Sequence, residues 1–376
     1  MKQGSLHLLQ NLIKIDSQNP PGNERRIILF IRDYLKKLGL ASRILEFKKD
    51  RLNLMCCLRS RKPRKTLLFT PHVDTVPAGN DGWKFPPFSA FLYKGKLYGR
   101  GATDCKINVA AALLLIERLK KSKITLNNLD LVFAFCADEE TGSHYGTIPL
   151  AAKLKGIDYG VVLDADDFNI IVAQKGLLHV RVELTGVEAH GAYPERGTNA
   201  VVAGVRILNE ILDAPLPFKK HALLIKPTLN IGRFCGGDKV NVVAGYAFFE
   251  LDIRYLPSMD KDKIISTLTR IIRAQGIPFR IKVLAHQKPI EIDPDLPSIK
   301  CLRSVLKARK IPFQLKPSFG ATVINFLEDR GIKSFAFGFG SAGNAHSKNE
   351  HVKLSNLDNA VDVLTDYVVK LDSFFA

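Results

Sequence analysis

Histidines and carboxylates follow several apolar segments of the sequence, at the point where each segment ends. His72 and Asp74 come directly after the apolar run Thr66–Thr70. In an extended chain, their i, i+2 spacing places both side chains on one face. A histidine can ligate a metal through one ring nitrogen while a nearby carboxylate accepts the proton of the other. A loop histidine with a capping aspartate is the alternative interpretation.

Carboxylates stand at two further junctions of this kind. Asp104 lies just before a strongly apolar helical stretch, and Asp138-Glu139-Glu140 follows the apolar segment Leu131–Ala137. Adjacent carboxylates raise each other's pKa unless cations compensate. One of them can therefore bind a metal while its neighbour takes a proton from water. The alternatives are that Asp104 caps the helix and that the acidic run is a solvated turn.

The same pattern recurs later in the chain. Asp164 follows the apolar segment Gly160–Leu163, and His346 lies soon after Ser334–Gly338. Together the junctions supply two histidines and several carboxylates. Nitrogen and oxygen ligands of this kind suit zinc or a similar first-row ion.

Helices and strands alternate in the parts of the sequence that carry these residues. Helical periodicity predicts helices over residues 5–15, 24–38 and 108–121, and apolar runs predict strands over residues 52–58, 66–70, 129–137, 160–163 and 334–338. Such alternation is typical of an α/β fold with a largely parallel, helix-covered sheet.

The middle of the chain has a different pattern. Residues 178–184 and 240–252 read as strands, and residues 199–212 and 260–275 read as helices, which indicates an α+β segment with antiparallel strands. We therefore predict a discontinuous main domain, residues 1–176 and 289–376, with a smaller domain inserted at residues 177–288.

Composition excludes several classes of protein. Of 376 residues, 46% are hydrophobic and 24% are charged, which excludes a disordered or fibrous chain. The longest apolar run, Val109–Ile116, is far shorter than the roughly 20 residues of a membrane helix. Six cysteines without a CxxC pair, and an N-terminus without a signal-peptide core, favour a cytoplasmic protein with free thiols.

The charge balance invites a nucleic-acid hypothesis. The net charge is +18, and the densest basic cluster is Arg59–Lys65, which lies between two apolar runs as a solvated hairpin loop would. The other basic residues are scattered along amphipathic stretches. This distribution favours solubility or an anionic substrate over a nucleic-acid partner.

The sequence motifs resemble those of the M20 family of metallopeptidases and aminoacylases, and they occur in the same order along nearly the whole chain. This family includes acetylornithine deacetylase, succinyl-diaminopimelate desuccinylase and carboxypeptidase G2. The matching segments are Ser17–Glu24, His72–Pro77, Lys96–Gly101, Asp138–Ser143, His190–Pro194, Gly237–Val243, Asp252–Arg254 and Ala345–Val352. The resemblance implies a di-metal aminopeptidase-like α/β catalytic domain with an inserted α+β domain that serves as lid and dimerisation surface.

The resemblance also assigns roles to residues. It implies that one metal ion is bound by His72, Asp104 and Asp164, and a second by Asp104, Glu140 and His346, with Asp104 bridging. Glu139 would be the general base and later the acid, and Asp74 would orient His72. His190 would stabilise the oxyanion in the partner's active site of a homodimer.

Four further residues are implied for the substrate pocket: Arg254, Asn241, Lys175 and Gly320. An arginine fork suits a substrate carboxylate. The sequence departs from the family pattern at Ile107, where a glycine is frequent, and at Asp164-Ala165, where Glu-Pro is frequent. It also lacks an aspartate in Ser318–Thr322, a position that bears on substrate choice.

The resemblance implies a hydrolase with two divalent ions, zinc in the first place and cobalt or manganese as alternatives. It would cleave an amide beside a free carboxylate, with an N-acyl amino acid or a short peptide as substrate. We expect a deacylase of the acetylornithine deacetylase or desuccinylase type. An M20 dipeptidase or carboxypeptidase is the alternative, and a non-catalytic binding protein with a basic surface is the alternative of another class.

Overall fold

The computed structural model describes residues 3–122, 124–214, 216–318, 320 and 322–376. The helices within these ranges are α1 Gln3–Lys14, α2 Glu24–Lys37, α3 Ile107–Lys121, α4 Thr147–Ala151, α5 Ala200–Asp213, α6 Lys261–Ala274, α7 Pro297–Ala308, α8 Ile324–Glu328 and α9 Leu354–Phe374. The strands are β1 Ser42–Lys48, β2 Arg51–Leu58, β3 Lys65–Thr70, β4 Phe91–Tyr93, β5 Lys96–Tyr98, β6 Leu129–Phe135, β7 Tyr159–Val162, β8 Ile170–Gln174, β9 Gly176–Thr185, β10 Thr228–Gly236, β11 Tyr246–Tyr255, β12 Phe279–Gln287, β13 Ile290–Glu291, β14 Leu315–Ser318, β15 Lys333–Phe337 and β16 His351–Lys353.

The chain forms two compact units. The first comprises Met1–Val172, Ile292–Lys316 and Thr322–Ala376, and the second comprises Ala173–Glu291 and Pro317–Ala321. The first unit thus contains both ends of the sequence, and the second is inserted into it.

The first unit is built on a sheet with the strand order β1-β2-β6-β3-β7-β15. β6, β3, β7 and β15 run parallel to one another, whereas β1 and β2 add antiparallel strands at one side. On the other side, Ile170 and Ile171 of β8 pair antiparallel with β15. The predicted parallel arrangement therefore holds for the four central strands only.

The basic segment between β2 and β3 is not a hairpin loop, contrary to the sequence prediction. β6 lies between β2 and β3 and pairs with both. The backbone explains the difference, because Lys62 N donates to Asn127 O at 2.7 Å and Arg64 N donates to Asn128 O at 2.8 Å. The basic segment is thus bonded to the residues that lead into β6.

Aromatic and aliphatic side chains fix the central strands against the helices. Every residue of Val109–Ile116 in α3 is buried, as expected for a helix covered on all sides. The Phe69 ring of β3 stacks on Phe133 of β6 at 5.3 Å, and Tyr367 of α9 meets Phe69 edge-on at 6.4 Å. Burial of each such side chain contributes roughly 1.5–3 kcal/mol to the stability of the folded protein. This packing holds the strands, and hence the residues at their ends, in fixed positions.

No helix in the described part of the chain could cross a membrane. The longest is α9, with 21 residues, and α3 has the longest apolar run but only 15 residues. Neither has both the length and the apolar composition that a membrane span requires.

The second unit is an antiparallel sheet packed against two helices. Its strand order is β10-β11-β9-β12, and its core joins alternate residues of β9 and β11 to apolar residues of α5 and α6. Asn199 and Asp260 cap these helices by accepting from two backbone N–H groups each. Leu178–Leu184 lies within β9, as predicted.

The predicted strand over residues 240–252 begins only at Tyr246. The backbone before it bonds to a different segment: Val243 N donates to Ala189 O at 2.8 Å, and Gly186 N donates to Gly245 O at 2.7 Å. These groups tie two loops together instead of continuing the ladder.

Candidate metal centre

The residues that the sequence singled out in the first unit follow its parallel strands. Because β6, β3, β7 and β15 run in the same direction, their carboxyl ends lie at one edge of the sheet, where ligands bind in open α/β sheets. The residues that leave this edge are His72 and Asp74 after β3, Glu139 and Glu140 after β6, Asp164 after β7 and His346 after β15. Asp104 reaches the same place from the turn Ala102–Lys106, which leads into α3.

Asp104 lies between two histidines. Its Oδ1 atom is 2.9 Å from His72 Nε2, and its Oδ2 atom is 3.1 Å from His346 Nε2. Glu140 Oε2 lies 3.0 Å from the same nitrogen of His346, and Asp164 Oδ1 lies 3.9 Å from His72 Nε2. The structure therefore brings together two groups. Each has one histidine and one carboxylate of its own, and both groups share Asp104.

The two groups differ in exposure. The His72 side chain is 3% exposed, whereas the His346 side chain is 56% exposed. The group around His72 is therefore the inner one, and solvent reaches the centre from the side of His346.

The donors of this centre are of the kind that bind divalent cations. His72 Nδ1 lies 3.1 Å from the backbone oxygen of Asp74, so a proton on Nδ1 leaves Nε2 as the ligating atom. His72, Asp104 and Glu140 each offer a ligand atom, and these atoms lie within 4.8 Å of one another. Imidazole nitrogens and carboxylate oxygens together are the ligands that zinc takes in catalytic sites.

Burial and charge shift the pKa values within the centre. Burial raises the pKa of Asp164 to about 7, with Asp104 adding to the effect. Hydrogen bonds to Asp104 and Glu140 raise the pKa of His346 to about 10. Burial also raises the pKa of Glu139 well above its usual value, although the charge of His72 opposes it. Carboxylates crowded in this way are the arrangement that bound cations compensate.

Asp74 holds the loop that follows β6. It is fully buried. Its Oδ1 accepts from Glu139 N at 3.1 Å, and its Oδ2 accepts from Glu140 N at 3.1 Å and from Asn19 Nδ2 at 2.9 Å. Its Oδ1 also lies 3.5 Å from His72 Nδ1. Asp74 thus fixes the backbone of both glutamates as well as standing beside His72.

A buried ion-pair network supports the same loop, and sequence reasoning gave it no role. The Arg51 guanidinium donates to both oxygens of Glu24 and, at 2.6 Å, to Asp138 Oδ1. Asp138 has a positive φ of 64° and also accepts from Thr141 Oγ1. An arginine at the start of a strand carries no sequence signal for such a role. The apolar run over residues 52–58 predicted only the strand.

Removing Arg51 should destabilise the protein. In Arg51→Ala, the buried carboxylates of Glu24 and Asp138 lose their shared partner, and we expect the free energy of unfolding to fall by about 3–5 kcal/mol. Chemical denaturation followed by circular dichroism measures the change. Arg25→Ala is the matched control, because Arg25 and Asp50 form an exposed pair that contributes about 1 kcal/mol or less. Equal effects of the two substitutions would contradict this role for Arg51.

Glu350 positions the turn that carries Asp104. It is fully buried. Its Oε1 accepts from Thr103 N at 2.9 Å and from Asp104 N at 3.0 Å, while its Oε2 accepts from Gly101 N at 3.0 Å and from Arg100 Nη1 at 2.7 Å. Sequence reasoning included Glu350 in a matching segment but missed this role. Its place four residues after His346 was the available signal.

Glu350→Gln should weaken metal binding. The glutamine amide has one acceptor oxygen where the glutamate has two. One pair of donors therefore loses its acceptor: either the N–H groups of Thr103 and Asp104, or Gly101 N–H and the Arg100 guanidinium. We expect zinc affinity to fall by about 10–100-fold, as for other groups that orient metal ligands. Excess zinc should restore part of kcat, while KM stays unchanged.

Chelator competition measures that zinc affinity, and steady-state kinetics at several zinc concentrations separates kcat from KM. Glu46→Gln, an exposed glutamate of β1, is the matched control. Native zinc affinity in folded Glu350→Gln would show that the hydrogen bonds of Glu350 do not position Asp104.

Two predicted residues of the second unit, His190 and Asn241, lie on adjoining loops. His190 is exposed, and its Nδ1 accepts from Ala192 N at 3.0 Å. Gly191 N donates to Asn241 O at 2.7 Å, and a side chain at Gly191 would meet the Asn241 backbone at 2.9 Å. The glycine after His190 therefore permits the close approach of these loops.

The remaining predicted pocket residues also belong to the second unit. Lys175 is buried and donates to Lys226 O at 2.7 Å, and the Arg254 fork donates to Asp252 at 2.7 and 3.1 Å. Burial lowers the pKa of Lys175, and the charge of Arg254 lowers it further. Gly320 is exposed, and its carbonyl accepts from Ser318 Oγ at 3.0 Å. The roles of these residues stay predictions.

An α/β sheet with two histidines and three carboxylates at the carboxyl edge of its parallel strands defines a metallohydrolase. The model of the family described as peptidase family M20/M25/M40 matches residues 68–370. The chain belongs to this family, and it is a hydrolase that acts on peptide or amide bonds.

Relatives match over nearly the whole chain. A peptidase M20 domain-containing protein of Schizosaccharomyces pombe is 30% identical and covers 94% of this chain and 80% of its own length. A succinyl-diaminopimelate desuccinylase of Psychromonas ingrahamii is 26% identical, with 95% of this chain and 96% of the relative covered. Similarity of this extent includes both units.

Solved structures share the fold. The aminopeptidase PepT of Bacillus cereus has a TM-score of 0.79 at 22% identity, with 99% of each chain covered. An M20 family metallo-carboxypeptidase of Sulfolobus solfataricus has a TM-score of 0.80 at 20% identity, with 100% of each chain covered. The predicted M20 membership and α/β fold are confirmed.

Proposed function

We propose that this protein is a two-metal deacylase that hydrolyses the amide bond of an N-acyl amino acid. One observation carries the two-metal part of this proposal: each carboxylate oxygen of Asp104 faces a different histidine, at 2.9 Å and 3.1 Å. An aspartate shared by two histidine–carboxylate groups would suit two metal ions that act on one substrate.

The residues of the first unit would divide the reaction between them. His72, Asp104 and Asp164 would hold one ion, and Asp104, Glu140 and His346 would hold the other. Bound divalent ions supply Lewis acidity toward the scissile carbonyl and lower the pKa of water. Glu139 takes the proton of the attacking water and later delivers it to the leaving amine. Asp74 holds the Glu139 backbone during both transfers.

The residues of the second unit would recognise the substrate. Arg254 pairs with Leu177 across β11 and β9, two residues from Lys175, and two neighbouring cations suit the free carboxylate of an amino acid. Asn241 and Gly320 would complete this pocket, and His190 would stabilise the oxyanion of a partner subunit in a homodimer. The inserted unit would then serve as lid and dimerisation surface, within the predicted boundaries 177–288.

Two classes of substrate compete for this site. The desuccinylase of Psychromonas ingrahamii supports an N-acyl amino acid. The aminopeptidase and carboxypeptidase structures support short peptides and hence a dipeptidase or carboxypeptidase activity. We favour the deacylase because the wording and order of the motifs resemble those of acetylornithine deacetylase and succinyl-diaminopimelate desuccinylase.

We propose zinc as the metal and the cytoplasm as the compartment. Zinc suits two imidazoles with carboxylates, and cobalt or manganese can take the same ligands. The six cysteines are free thiols, four of them buried, which suits a reducing cytoplasm.

Hydrolysis of a substrate panel tests the proposal. The panel contains N-acetylornithine, N-acetyl-lysine, N-acetylmethionine, N-succinyl-diaminopimelate and several dipeptides, and amine release is followed in zinc-loaded and chelated protein. We expect zinc-dependent turnover with kcat/KM highest on an N-acyl amino acid. Turnover of dipeptides alone would replace the deacylase with the peptidase alternative. Failure to bind metal and to turn over any substrate would favour a non-catalytic binding protein.

A further inference from the structure

An open cleft of about 510 Å³ lies in the first unit, apart from the candidate metal centre. It is bounded by the first three strands of the sheet order, β1, β2 and β6, and by the segment that follows α4. No role in the proposed reaction involves this part of the molecule.

The strand register places apolar side chains on the sheet face of this cleft. Arg43 pairs with Met55 across β1 and β2, and Cys57 pairs with Val132 across β2 and β6. Residues two apart in a strand share a face, so Leu45, Met55, Cys57 and Val132 lie together. Leu45, Met55 and Cys57 are only half-buried, which leaves apolar surface in the cleft open to solvent.

Cations surround this apolar floor. Arg43, Arg59, Lys153 and Lys155 line the cleft, and all four are exposed. Arg59 pairs with Asp130 at 2.6 Å. Within the described ranges, Arg43, Lys153 and Lys155 form no ion pair, and the cleft lining includes no carboxylate and no aromatic ring.

A second cleft of about 360 Å³ adjoins the first. The two share Cys57 and Arg59, and the second adds Arg61 and Lys120 to the basic lining, again without a carboxylate. The basic side chains therefore line both clefts, and they border an apolar surface. This arrangement suits a ligand that has an anionic group and an aliphatic part.

We infer that this cleft binds a small amphipathic anion, an aliphatic chain with one carboxylate head group. The half-buried aliphatic floor would take the chain, and the unpaired cations of the rim would take the head group. Since the lining lacks aromatic rings, it offers no stacking surface for a nucleobase. A second copy of the protein is a poor occupant, because docking on the same face would bring two sets of cations together. A flat bilayer is also a poor occupant, because the concave cleft fits a single aliphatic chain better.

Cys57 provides a direct readout of occupancy. Cys235 is exposed, Cys57 is half-buried in the cleft, and the other four cysteines are buried. In full-length Cys235→Ser protein, the rate at which neutral iodoacetamide alkylates Cys57 therefore reports access to the cleft. The probe is decanoate below its micelle-forming concentration, compared with decanol and decylamine.

We expect decanoate to slow alkylation of Cys57 by about tenfold at about ten times its Kd, because the free fraction falls by mass action. Decanol and decylamine should protect much less. Lys153→Glu with Lys155→Glu should weaken decanoate binding by at least about tenfold, since two attractive charges become repulsive. Lys219→Glu with Lys220→Glu, an exposed pair in the second unit, changes the net charge equally and should leave binding unchanged.

Several results would overturn the inference. Equal protection by decanol and decanoate would show a groove without preference for anions. Loss of binding in both double variants would show a general charge effect. Protection by phosphatidylglycerol vesicles but not by decanoate would assign the face to a membrane surface instead.

Discussion

Glu139→Ala should lower kcat by about 10²–10⁴-fold, the contribution expected of a general acid–base, while leaving two metal ions bound. The backbone of Glu139 is fixed by Asp74 Oδ1 at 3.1 Å. In the part of the chain that the structure describes, its carboxylate forms no hydrogen bond, so it is free to accept a proton. Its removal therefore takes away the proton carrier and no ligand.

The adjacent residue supplies a matched comparison. Glu140 Oε2 faces His346 Nε2 at 3.0 Å, so Glu140→Ala should lower kcat and also remove one metal ion. Steady-state kinetics and metal analysis of the two variants separate the roles. If Glu139→Ala lost metal while Glu140→Ala kept both ions, the assignment of base and ligand would be reversed.

Asp104→Ala should abolish hydrolysis and metal binding together. The shared carboxylate accounts for one ligand to each ion, so its loss leaves only one histidine and one carboxylate on each side. Asp164→Ala and Glu140→Ala should instead remove one ion each, from the inner and the outer group respectively. Titration with zinc and metal analysis after gel filtration measure the three stoichiometries.

Asp166 offers a control for Asp104. Burial raises the pKa of Asp166 to about 6, with Asp104 and Asp167 adding to the effect, yet Asp166 belongs to neither group of ligands. Asp166→Asn should therefore retain both ions. Retention of one ion at native affinity in folded Asp104→Ala would show that Asp104 does not bridge.

The position of several residues of the candidate metal centre was predictable from the strands that they follow, whereas their assignment to two ions came from the resemblance to the M20 family and stays a prediction. His72, Glu140 and Asp164 each follow an apolar strand, and parallel neighbours bring such ends to one edge of a sheet. The same reasoning does not reach Arg51 or Glu350. Their partners are backbone N–H groups and carboxylates distant in sequence, and only the folded chain brings them together.

Strand pairing was less predictable than strand position. Residues 52–58 and 66–70 were identified as strands, but their separation by a short basic segment suggested a hairpin, whereas β6 inserts between them. β10 and β12, the outer strands of the second sheet, were not predicted. Their many exposed residues weaken the alternation of apolar and polar side chains on which sequence reasoning depends.

Anomalous diffraction from crystals of the zinc-loaded protein would test the two-metal centre most directly. We expect two zinc peaks, one among His72, Asp104 and Asp164 and the other among His346, Asp104 and Glu140, with one oxygen of Asp104 directed at each. A single peak, or zinc bound away from Asp104 in protein that hydrolyses its substrate, would contradict it.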